Sequence, residues 1–146
     1  MNLLKIAVIA VFMVVLLCAC KLAGARDGIA AAPGARADFT GKWTVTVEPD
    51  EDARKAGEKP FEDTLVFEGG KFTSEACKKH GFGPVEYEED TRRFGPAKFT
   101  AEPSSDKEGK AKWTGMVTAA EISGDMVWTK KDGTVLRYSF KGEKKH

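Results

Sequence analysis

The sequence predicts an all-β domain, a small antiparallel meander of about eight strands that closes into a barrel. Three observations carry this. Apolar and polar residues alternate with period two through most of the chain after residue 39, turn-forming residues separate the alternating runs, and no stretch of helical period is long enough to supply a crossover.

The first run sets Trp43, Val45 and Val47 on one face against Lys42, Thr44, Thr46 and Glu48 on the other, the pattern of a half-buried strand. Leu65 and Phe67 lead into Glu68-Gly69-Gly70-Lys71, and Phe72 follows; paired glycines suit the positive φ angles of a tight hairpin. Val85 and Tyr87 alternate with Glu86 and Glu88. Ala97, Phe99 and Ala101 alternate with Lys98, Thr100 and Glu102. Ala111, Trp113, Gly115 and Val117 oppose Lys110, Lys112, Thr114 and Thr118, and Ile122, Met126 and Trp128 oppose Glu121, Asp125 and Thr129. Lys131-Asp132-Gly133-Thr134 carries an Asp-Gly turn signature before Leu136, Tyr138 and Phe140, which alternate with Arg137, Ser139 and Lys141. A meander left open exposes two strand edges, whereas eight strands close into a barrel wide enough to be filled by side chains or to hold one small ligand. A sandwich is the competing arrangement.

The N-terminus has a different grammar. Met1 to Lys5 is a short basic start, and 6–17 is an unbroken apolar run of about a dozen residues, shorter than the roughly 20 a spanning helix needs. Leu17-Cys18-Ala19-Cys20 resembles the lipobox of bacterial lipoproteins, in which cleavage precedes a cysteine that receives a lipid. The resemblance implies a signal peptide over 1–19 and Cys20 as the acylated first residue, with Cys18 at the neighbouring position and cleavage after Ala23 or Ala25 as the alternatives. It implies a cell-envelope location facing the periplasm, tethered to the membrane by the lipid anchor. Lys21, where enteric lipoproteins retained at the inner membrane carry Asp, favours the outer membrane. The Ala- and Gly-rich stretch over 20–38 reads as a flexible linker, leaving 39–143 as the barrel domain.

Charge excludes one class of function. The chain has 23 Lys and Arg against 22 Asp and Glu, and loss of Lys5 with the leader leaves the mature protein formally neutral. A neutral chain lacks the basic stripe that phosphate neutralisation requires, so no nucleic-acid partner is expected.

Asp38-Phe39-Thr40-Gly41-Lys42-Trp43 resembles the Gly-x-Trp opening of lipocalins and related calycin barrels. The resemblance covers this motif and the meander. It implies that Trp43 plugs one end of the barrel beneath an Arg or Lys from the last strand, for which Arg137 is the nearest match although alternation places it on the outer face. In that family the loop after the first strand is a lid; here the corresponding segment, 49–60, is long and of mixed charge, and by composition reads as a solvated loop. The irregular segment 89–96 flanks one barrel end or the other.

The search for catalytic chemistry returns little. Only His80 and His146 are available as imidazoles, and the carboxylates fall on polar strand faces or in turns, so no catalytic residue is assigned and the chain is not expected to be an enzyme. Cys77-Lys78-Lys79-His80 has a two-ligand spacing without a second pair, so neither a metal nor another cofactor is expected, and Cys77 reads as a small buried hydrophobe. The aromatic residues on the inward faces either fill the barrel or line a pocket. In the second case Trp113, Trp128, Phe99 and Tyr138 are the candidate ligand-binding residues, and the function is binding of a small apolar or amphiphilic molecule. In the first case the barrel is a structural or protein-interaction module of the envelope.

Overall fold

The computed structural model describes residues 37–91 and 95–146. The expected signal segment, Cys20 and most of the expected linker lie outside the described residues, as do Arg92, Arg93 and Phe94. Within the described residues the strands are β1 (Gly41–Pro49), β2 (Phe61–Glu68), β3 (Lys71–Ser74), β4 (Val85–Asp90), β5 (Ala97–Ala101), β6 (Ser104–Ser105), β7 (Gly109–Val117), β8 (Glu121–Thr129) and β9 (Val135–Lys144). Two short helices, α1 (Glu51–Lys55) and α2 (Glu75–Lys78), lie in connections.

All pairings are antiparallel. β1 pairs with both β2 and β9, and β5 pairs with β7, so eight strands close in the order β1-β2-β3-β4-β5-β7-β8-β9 while the two-residue β6 pairs with the start of β7. The domain is therefore a closed up-and-down barrel and not a sandwich. Closure leaves no strand of the meander with an unpaired edge along its whole length.

The period-two pattern decides which side chains enter. Trp43, Val45, Val47, Leu65, Phe67, Phe72, Phe99, Trp113, Val117 and Ile122 are at most 1% exposed, and their polar neighbours in sequence face solvent. At Gly69-Gly70 the strands reverse through a two-residue turn: Phe67 pairs with Phe72, Glu68 with Lys71, and both glycines have positive φ (58° and 75°), the conformation in which their missing Cβ removes the steric penalty. The Asp132-Gly133 turn is a longer one. Lys130 N–H donates to the Thr134 carbonyl at 2.8 Å and Gly133 N–H to the Lys130 carbonyl at 3.0 Å, enclosing three residues.

The middle of the barrel is filled by rings. Phe67 meets Phe72 at 5.2 Å and Phe99 at 4.9 Å between centroids, Trp113 meets Phe72 at 5.6 Å and Phe140 at 5.2 Å, mostly tilted or edge-to-face as the ring quadrupoles prefer. Gly115 and Gly124, paired across β7 and β8, make this packing possible: a Cβ on Gly115 would lie 2.7 Å from Phe99 and 2.8 Å from Phe140.

One end is sealed. Phe39, just before β1, turns its ring in against Phe67, Tyr87 and Phe99, and its carbonyl accepts the Trp43 indole N–H at 2.8 Å. The cation over Trp43 is Lys144, with Nζ 5.4 Å from the ring centroid, and Arg137 is exposed on the outer face. Gly41 has φ +119°, and a Cβ there would press within 3.3 Å of the Lys144 side chain, so the glycine both permits the bend and leaves room for the cation's stem. The end of β4 and the start of β5, which bracket the segment 89–96, lie at this sealed end, away from the opening.

The segment 49–60 is more ordered than a solvated loop. Asp50 caps α1 by accepting Ala53 N–H at 2.8 Å, Ala53 is fully buried, and Asp50 N–H donates to the Arg137 carbonyl at 2.9 Å. The ion pairs on its surface, Lys55 with Glu51 and Arg54 with Glu48, are solvent-exposed and contribute little.

Candidate functional site

At the end opposite Trp43 the barrel opens into a pocket of about 450 Å³. Its walls are Glu58, Phe61 and Glu62 from the end of the β1–β2 connection and the start of β2, Ala76, Cys77, Lys79, His80 and Phe82 from α2 and the turn after it, Ala111 from β7, Met126 and Trp128 from β8, and Tyr138 from β9. A volume of this size lies within the range of small-molecule sites, and the mixture of rings, small apolar groups and a few charged groups is the usual composition of such a site.

The four residues expected to contact a ligand are divided by depth. Trp128 and Tyr138 line the pocket. Trp113 and Phe99 do not; both are 1% exposed or less and belong to the ring-filled layers beneath it. The strand register accounts for the division. Ala111 pairs with Trp128 at the mouth, and Trp113 pairs with Met126 one inward step deeper. Sequence reasoning missed Phe61, Phe82 and Met126 as lining residues, and the signal for Phe61 was present in its parity with Leu65 and Phe67.

Trp128 is held rigidly. Its indole N–H donates to the Glu108 carbonyl at 2.8 Å, and the Lys130 ammonium lies 4.7 Å from its ring centroid. That ammonium also pairs with the Glu58 carboxylate at 3.7 Å, both side chains being about one-third exposed, which links the β8–β9 turn to the β1–β2 connection beside the pocket. Tyr138 packs edge-on to Phe61 at 6.2 Å between centroids. Burial, and then the neighbouring Glu58 carboxylate, hold the Tyr138 phenol well above its ordinary range, so it stays protonated and can donate a hydrogen bond. Among the described residues, the indole N–H of Trp113 finds no acceptor within the ring-filled interior.

Below the α2 wall, Asp63 is a buried carboxylate on the inward face of β2. It accepts the Ser74 hydroxyl, Ala76 N–H at 2.8 Å and its neighbour Thr64 N–H at 2.7 Å, and Ser74 in turn accepts Cys77 N–H at 3.0 Å as the cap of α2. Desolvation outweighs these hydrogen bonds and raises the Asp63 pKa above its ordinary value. Asp63 thus organises the wall that carries Cys77. The Cys77 thiol is half-buried and packs against the core, and burial pushes its pKa up to about 11, so it is a weak nucleophile near neutrality. His80 is exposed at the rim; its carbonyl accepts the Ser105 hydroxyl at 3.0 Å, which ties the turn after α2 to β6. Among the described residues no group of three or more His, Cys, Asp or Glu side chains is placed to hold a metal ion, and no helix is long and apolar enough to cross a membrane.

Comparison with known proteins leaves the geometry to speak for itself: no family model, no curated protein and no solved structure matches the chain.

Proposed function

We propose that the protein is a membrane-tethered lipoprotein of the cell envelope that binds a small apolar or amphiphilic molecule at the mouth of its barrel, as a carrier or receptor and not as an enzyme. The tether is Cys20, the barrel faces the periplasm, and Lys21 favours the outer membrane. The observation that carries the binding reading is the pocket of about 450 Å³ at the end opposite the Trp43 plug, with Trp128, Tyr138 and Phe61 among its walls. Lipocalin-like barrels, which the Gly41-Lys42-Trp43 opening resembles, place their ligands on the same side of a sealed end. The cation over Trp43, supplied here by Lys144, supports the same likeness.

A second reading has its own support. Among the described residues the middle layers beneath the mouth pocket are packed with rings, as expected of an interaction module with a solid core. Fluorescence separates the two. Trp43 and Trp113 are fully buried, so Trp128 is the reporter that a pocket ligand touches. Titration of the protein purified from its own envelope with fatty acids, quinones and similar amphiphiles should shift Trp128 emission, and the shift should vanish in Trp128→Phe. A ligand at a hundredfold excess over its Kd should raise stability by about 2.7 kcal/mol. No emission change, no thermal shift and no co-purified molecule in native mass spectra would favour the interaction module.

A further inference from the structure

We infer that the mouth pocket selects amphiphiles whose head is an organic ammonium, with the cationic nitrogen held between the Trp128 ring and the Glu58 carboxylate and the apolar portion laid along Phe61 and Tyr138. The inference rests on the binding reading above and assigns its ligand class.

Two walls of the pocket are already arranged around an ammonium. The Lys130 nitrogen lies 4.7 Å from the Trp128 ring centroid and 3.7 Å from a Glu58 oxygen, with both charged side chains only about one-third exposed. An aromatic face and a carboxylate converging on one point is the arrangement that recognises a cationic nitrogen, because the ring quadrupole and the anion both favour positive charge there. The hydrogen bond from the Trp128 indole to the Glu108 carbonyl uses the ring's only donor and fixes its plane, so what the side chain offers a ligand is its face.

Glu62 and Lys79 also line the pocket, but both are exposed and opposite in sign, so they add little preference of their own and the selection falls to Trp128 and Glu58. An anionic head placed against Trp128 would face Glu58. Lys130, carried on the β8–β9 turn, can swing into solvent when a ligand nitrogen takes its place, since its own hold is a single half-shielded ion pair and one ring contact. It is an internal competitor for the site.

The test compares three amphiphiles that share one alkyl chain, dodecyltrimethylammonium, dodecanoate and dodecyl maltoside, each titrated below its micellar concentration into the full-length protein and read by Trp128 emission and calorimetry. The ammonium compound should bind at least about tenfold more tightly than the other two, and the preference should weaken with added salt. Glu58→Gln should remove about tenfold of ammonium affinity, clearly more than it changes dodecanoate or maltoside affinity, while Lys130→Met should raise ammonium affinity several-fold. Binding of dodecanoate or maltoside as tightly as the ammonium compound, or a Glu58→Gln effect equal for all three, would overturn the ammonium assignment while leaving the pocket a binding site. Absence of binding by all three would overturn the pocket reading itself.

Discussion

Trp43 shows how much one residue's surroundings decide. It is fully buried, its N–H is satisfied by the Phe39 carbonyl, and Lys144 lies over its face. Trp43→Ala should therefore cost about 3 to 5 kcal/mol, a large share of the roughly 5 to 15 kcal/mol that holds a domain together. Lys144→Met, which keeps the stem and removes the charge, should cost about 0.5 to 1 kcal/mol. Urea denaturation midpoints check both, and a Trp43→Ala protein with an unchanged midpoint would reject the plug. The tryptophan was legible because it heads an alternating run. Its cation is Lys144 and not the expected Arg137, although parity carried the signal: Leu136, Tyr138 and Phe140 face inward, and Lys144 shares their side of β9, whereas Arg137 does not. An inward lysine at a strand end extends its apolar stem across the ring and its ammonium toward water, so inward parity does not require an apolar residue there.

At the scale of elements, the joint between β2, β3 and α2 rests on Asp63. An aspartate on an inward face breaks the apolar alternation, which is why the expected strand began at Leu65 while β2 itself begins at Phe61. The two short helices were illegible for a related reason. Five and four residues are too few to display a helical period, and their stability comes from the caps Asp50 and Ser74 and from packing against the barrel. The Asp63 pKa has a consequence for stability. Its folded-state value is raised above the unfolded one, chiefly by desolvation, so the folded protein holds the proton more tightly and this group's contribution falls as pH rises from the ordinary value of 3.8 through the folded value. Acidification should thus recover stability at this site, opposite in sign to Asp38 and Asp132, whose values are lowered chiefly by hydrogen bonds from the Thr40 and Thr134 backbones. Asp63→Asn, which cannot ionise, should remove that component, so the parent's denaturation midpoint should rise relative to the variant's toward acid pH. A difference that is constant across the carboxylate range would show that burial does not perturb Asp63. Asp63→Ala, which leaves the Ser74 hydroxyl and Ala76 N–H without their acceptor, should cost about 1 to 3 kcal/mol at neutral pH.

For the whole molecule, closure of the barrel was legible because eight alternating runs and short turns allow few other solutions, while the depth of the pocket was not. Phe99, Trp113, Trp128 and Tyr138 all share inward parity, and only the strand register and the extra layer of α2 reveal that the first two lie in the filled middle and the last two at the mouth. The proposed anchor is separable from all of this. Lipidation at Cys20 would add several acyl chains, each buried methylene contributing about 0.8 kcal/mol, and chains in that number hold a protein on a bilayer where one is marginal. Cys20→Ala should then move the protein from the membrane to the soluble fraction and abolish acyl mass in the intact protein, while the barrel's circular dichroism and ligand titration stay those of the parent. If Cys20→Ala remained membrane-bound and still carried acyl chains, Cys18 would be the modified residue. If it remained bound without them, a retained N-terminal apolar segment would replace the lipid as the anchor. Either result would revise how the protein is held at the membrane and not the barrel and mouth pocket that the described residues form.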